Sequence, residues 1–166
     1  MSRTRDELIQ ALNLEVRRSQ NRTDAYDEAV CEALGINRTD HRFLDIIDQE
    51  PGITAGRLAE ISGLTTGAVT TVLDRLERAG FARRVRDQVD RRRVRIEVTE
   101  KAQAELWPYY EPLARIGEKI KERYTVEELE LLVDFLETAA ALHEGVLQEL
   151  KTRLGSAHER GASVTE

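Results

Sequence analysis

Thr65, Thr66, Gly67, Ala68, Thr70 and Thr71 place hydroxyls, a glycine and a single methyl side chain within seven residues, with Arg75 one turn further on. Nothing here resembles a nucleophile with its base. The chemistry on offer is short-range hydrogen bonding, joined by the free N–H groups of a helix start if Thr65 or Thr66 is its cap; such groups attract phosphate. Small residues also let a helix N-terminus come close to base edges in a major groove. The plainer alternative is the solvated face of a core helix. A second group, Asp90, Arg91, Arg92 and Arg93, is ordinarily just a charged loop. Between two strands beside a reading helix, the same arginines can enter a narrow minor groove. From Arg75 to Arg95 there are nine Arg and three acids, a balance of +6 in a chain of −6, which leaves −12 elsewhere. Segregation of that kind marks a face that meets a polyanion.

The elements that must position these groups read clearly. Thr54 caps a short helix carrying Leu58, Ala59 and Ile61, which Ser62-Gly63 ends. In the next helix Val69, Val72, Leu73 and Leu76 follow the i, i+3, i+4, i+7 rule and form a buried stripe. Phe81, Arg83 and Val85, and later Val94, Ile96 and Val98, alternate with their neighbours, so two strands flank a charged tip. Upstream, Leu8, Ile9, Leu12 and Val16 open a helix that runs to Leu34, and Thr39 caps another, with Phe43, Leu44, Ile46 and Ile47, that stops at Glu50-Pro51-Gly52. Downstream, Thr99 to Tyr124 is helical but interrupted and bent at Trp107-Pro108 and Pro112. Thr125 and Glu128 make a capping box for a helix with ten apolar positions from Leu129 to Leu154, more than one small domain covers.

Leu64 to Phe81 (LTTGAVTTVLDRLERAGF), with Asp90-Arg91-Arg92-Arg93 and Val98-Thr99-Glu100-Lys101-Ala102, resembles the MarR family of bacterial winged helix-turn-helix regulators. Val98 and Ala102 stand where the family has Leu and Gly, both mild departures. The resemblance implies a mostly α fold with a small β-hairpin wing. A winged helix-turn-helix core at about 36–101 would be flanked by dimerisation helices at about 6–34 and 102–154, in a single domain over 1–154 with 155–166 a flexible tail. Dimer contacts are expected at Leu8, Leu12, Leu136, Leu142, Val146, Leu147 and Leu150. It further implies a transcriptional regulator that binds double-stranded DNA sequence-specifically, a homodimeric, ligand-responsive repressor on a pseudo-palindromic operator. The residues expected on DNA are Thr65, Thr66, Gly67, Ala68, Thr70, Thr71, Arg75 and the wing tip. There, by the resemblance, Asp90 and Arg92 pair to shape the tip while Arg91 and Arg93 make the contacts. The alternative is a winged-helix module whose basic face docks an acidic protein.

Other chemistry has little to stand on. No P-loop, no G-x-S-x-G and no metal-ligand pair is present, so an enzyme is not expected. Cys31, His41 and Asp24 or Glu28 imitate a zinc set only loosely, and with three His in the chain and none paired at i, i+4, neither metal nor cofactor is expected. Cys31 is the chain's one cysteine and reads as a buried thiol, which with the lack of any possible internal disulfide fits a reducing cytoplasm. No apolar run approaches the roughly 18 residues of a membrane span. Trp107, Tyr109 and Tyr110 support two readings, packing of a bent helix on the core or the wall of a small-molecule effector pocket, to which His41 would add.

Overall fold

The computed structural model describes residues 3–87, 90 and 93–162, without the side chains of 155–162. Its elements run α1 (Arg5–Leu34), α2 (Arg38–Gln49), α3 (Ala55–Ser62), α4 (Thr66–Ala79), β1 (Ala82–Arg86), β2 (Val94–Val98), α5 (Glu100–Arg123) and α6 (Val126–Ala162). The fold is mostly α with one antiparallel hairpin, as the pattern of periods implies.

Local chemistry sets most of the boundaries. A capping box of Thr4 and Glu7 opens α1. α2 is capped by Asn37, whose side-chain oxygen accepts from the Asp40 N–H at 2.9 Å, and not by Thr39, which lies inside the first turn. Thr54 caps α3 and Thr65, rather than Thr66, caps α4 by accepting from the Ala68 N–H at 3.3 Å. Gly80 closes α4 at φ +76°, a left-handed conformation that a side chain disfavours. Thr125 and Glu128 form the capping box expected ahead of α6.

Two expectations about the later helices are corrected. α5 is not interrupted, since Pro108 and Pro112 both lie inside one continuous helix. Each proline lacks an N–H, so the carbonyls of Ala104 and Pro108 lose their intrahelical donor while the helix continues. α6 does not give way to a tail at residue 155 either, for its backbone is helical through Ala162. Gly155 is a weak stop when followed by good helix formers such as Ala157, Glu159 and Arg160.

β1 and β2 pair in register from Ala82↔Val98 to Arg86↔Val94. A bridge between Thr54 and Arg95, with the Ile96 N–H donating to Ile53 at 2.8 Å, adds a third backbone segment that the sequence does not announce. Around this hairpin α2, α3 and α4 bury Phe43, Leu58, Val69, Leu73, Leu76 and Ile96, all below 2% exposed. The stripe expected on α4 is therefore the core of the fold. Thr99 joins wing to helix by donating to the Gly80 carbonyl and accepting from the Ala102 N–H at the head of α5.

Where the sequence suggests one domain to residue 154, packing divides the chain into a unit ending at Pro112 and another beginning at Leu113. The first holds the core just described. In the second, among the described side chains of residues 113–154, none is buried. Leu136, Leu142, Val146, Leu147 and Leu150 on α6 are all exposed, as are Leu8 and Leu12 at the start of α1.

Candidate nucleic-acid interface

The α4 stripe turns Val69, Val72, Leu73 and Leu76 inward, which leaves Thr65, Thr66, Gly67, Thr70 and Thr71 exposed together at the start of the helix and Ala68 half-buried beside them. Thr70 and Thr71 donate their hydroxyl protons to the carbonyls of Thr66 and Gly67, each at 3.0 Å. A Cβ built on Gly67 meets no atom within 4 Å. The fold itself does not need glycine there.

Arg75 is placed differently from the expectation of an outward contact. Its Nε and Nη2 both donate to the carboxylate of Asp40 on α2, the Nε bond measuring 2.6 Å. The Asp40 side chain is only 4% exposed and that of Arg75 40%. Asn37 also donates to Asp40, at 3.1 Å. Arg75 thus ties α4 to α2, and the Asp40 bond raises the guanidinium pKa further.

Other wing arginines are similarly engaged. Arg83 pairs with Glu97, Arg84 with Asp74 and Glu77, and Arg95 with Asp87. With Asp40, Asp74 and Glu97 brought in beside the three acids already counted, the +6 of the Arg75–Arg95 stretch falls to +3. Among the described residues, Arg86 and Arg93 carry no ion pair and remain available to an anion. The tip contact expected of Arg91, and the expected pairing of Arg92 with Asp90, lie outside the described residues. At the base of the tip Asp87 accepts from the Asp90 N–H at 3.0 Å, and its own N–H donates to the Arg93 carbonyl at 3.0 Å. Lys101, quoted above only as part of the family motif, donates to the Ala79 carbonyl at 2.6 Å, placing a cation at the negative C-terminus of α4.

The aromatic group divides. His41, Trp107 and Tyr110 line a cavity of about 730 Å³ with Leu44, Leu106, Asp45 and Asp48. Tyr109 is not in its lining; instead its carbonyl accepts from the Tyr26 hydroxyl, which ties α1 to α5. His41 Nε2 is hydrogen-bonded to the Tyr110 hydroxyl, and the two rings stack at 6.1 Å. Burial, followed by the fields of Asp27 and Asp45, holds the Tyr110 pKa above the ordinary tyrosine range. Cys31 is buried, and desolvation raises its thiol pKa despite the opposing field of Arg38. Among the described residues no three His, Cys, Asp or Glu side chains are grouped to hold a metal, and no helix is long and apolar enough to cross a membrane.

This arrangement has close counterparts. The sequence profile of the MarR family matches residues 36–94. The HTH-type transcriptional regulator YcgE of Bacillus subtilis is 38% identical over 135 residues, which cover 81% of this chain and 88% of that one. A MarR family protein from Bacillus stearothermophilus has a similar structure, with a TM-score of 0.59 at 22% identity over 84% of this chain and 97% of its own. FabT of Streptococcus pneumoniae, solved in complex with DNA, gives a TM-score of 0.59 at 24% identity over 83% and 99%. At those identities the two structures speak for the fold, whereas YcgE and the profile speak for kinship. A winged hairpin beside an exposed, cap-initiated helix fits both, and the chain belongs to the MarR family, as a DNA-binding transcriptional regulator rather than an enzyme by kind.

Proposed function

We propose that this regulator works in the cytoplasm as a symmetric homodimer on a pseudo-palindromic duplex operator, as a repressor released by a small ligand. The observation that carries the reading is the α6 face, where leucines and valines recur at helical spacing and no side chain from 113 to 154 is buried in the single chain. Monomers seldom leave apolar surface of that extent open. A two-fold axis through such helices would present two α4 starts to half-sites about one turn, roughly 10 bp, apart. Genome-wide footprinting tests this directly: paired, inverted half-sites are expected, and isolated half-sites without symmetry would reject it. DNA binding should also weaken steeply with salt, through counterion release, while a flat dependence would favour the docking of an acidic protein.

Reading and anchoring should separate by mutation. Thr70→Val keeps the shape but removes a polar oxygen, and is expected to change preference at particular base pairs by about 1–3 kcal/mol. Arg93→Ala should weaken all sequences evenly and lower the log–log salt slope by about one. An unchanged slope would remove Arg93 from the interface.

Gly67→Ala sharpens the same distinction. Because nothing crowds a Cβ there and alanine is the better helix former, the free protein should gain about 0.5 kcal/mol. If the helix start approaches bases closely, affinity for DNA should nevertheless drop. Thermal melting and DNA titration on one sample check the pair of effects, and unchanged binding would mean the duplex does not come close to Gly67.

A further inference from the structure

We propose that the cavity lined by α2 and the first part of α5 takes a small organic cation with an aromatic or apolar body. This deepens the ligand-responsive reading above and rests on it. The volume, about 730 Å³, lies in the range of drug-sized sites. Trp107 and Tyr110 supply aromatic surface and Asp45 and Asp48 supply two carboxylates, while among the described residues no Lys or Arg lines the space. Aromatic faces with carboxylates and without Lys or Arg are the chemistry that holds ammonium and phosphonium groups. An aromatic acid would find no Lys or Arg there and would face two aspartates.

The surrounding field agrees with this choice. Asp27 and Asp45 oppose ionisation of the Tyr110 hydroxyl, after burial, and would oppose a ligand anion at the same place in the same way. Tyr110 is hydrogen-bonded to His41, and His41 is the chain neighbour of Asp40, which holds Arg75 of α4. A ligand displacing Tyr110 therefore acts two bonded partners away from the clamp on the reading helix.

The test uses two ions of one shape and opposite charge, tetraphenylphosphonium and tetraphenylborate, titrated into the full chain. Trp107 is the chain's one tryptophan, so its fluorescence reports this cavity. The phosphonium is expected to quench it saturably and to bind about ten-fold more tightly than the borate. Asp45→Asn with Asp48→Asn should erase most of that preference, and since both residues are exposed, melting should stay near that of the parent. Borate binding as tightly as phosphonium, no saturable quenching by either, or a preference unaltered in the double variant would each overturn the assignment. A DNA arm, on a fragment recovered by footprinting, keeps the two layers apart. Phosphonium that binds without changing DNA affinity defeats ligand response but leaves the cation site standing. Borate that binds and releases DNA defeats the cation site but leaves ligand response standing.

Discussion

Leu147→Asp is expected to sediment as a monomer and to lose operator affinity by about 100-fold or more. Leu147 lies on the α6 face with Val146 and Leu150, and a carboxylate there would have to leave water for an apolar seam between chains. An unpaired ion in such a place costs several kcal/mol, more than a small helical interface can absorb. Losing the dimer uncouples the two half-sites, and the gain from tethering two modest contacts is typically 10²–10⁴-fold. The substitution lies in the unit beginning at Leu113, outside the core around Phe43 and Leu58, so weak single half-site binding should survive. Analytical ultracentrifugation with DNA titration decides. A normal dimer with normal operator affinity would place the subunit interface elsewhere.

Arg75→Ala should destabilise the fold by about 3 kcal/mol, although an arginine on a reading helix suggests a DNA contact of little structural weight. The reason is the asymmetry of the pair: Arg75 can reach water, whereas Asp40 is almost wholly covered and would keep only Asn37. Stranding a buried carboxylate is the expensive direction. In a chain of this length the melting temperature should fall by roughly 6–12 °C. Asp40→Ala should do less harm, about 1 kcal/mol, because the freed guanidinium can turn to solvent. Asp40→Leu combined with Arg75→Met should recover much of the loss, since matched apolar groups need no counter-charge. Melting of Arg75→Ala within about 2 °C of the parent would show that the carboxylate finds water without it.

What could be read from the chain was whatever depends on near neighbours. The α4 stripe, the Gly63 stop of α3 and the Thr125–Glu128 box are each encoded within a few residues, and each is found as expected. The α2 cap was misplaced at Thr39, since Asn37, Thr39 and Asp40 are all capping types, and only the fold shows Asn37 capping and Asp40 committed to Arg75. That pairing spans 35 residues, and Arg83 reaches 14 to Glu97, distances over which composition counts charge but not its neutralisation. Tyr109 and Tyr110 are adjacent in sequence yet about 100° apart around a helix, so one lines the cavity and the other gives only its carbonyl to Tyr26. The aspartates of the cavity were passed over for a related reason. Asp45 and Asp48 look like the ordinary wet face of α2 until α5 is laid beside them.

Thr70 and Thr71 give their hydroxyl protons to carbonyls of their own helix, so the oxygens they present to the outside can only accept. Along a major groove, the base atoms able to satisfy them are the amino groups of cytosine and adenine; guanine and thymine offer acceptors there and would meet lone pair with lone pair. At the two steps these threonines face, the proposed operator would therefore carry an amino-bearing base on the contacted strand. The helix's own backbone bonding, settled before any duplex arrives, would set two letters of the site.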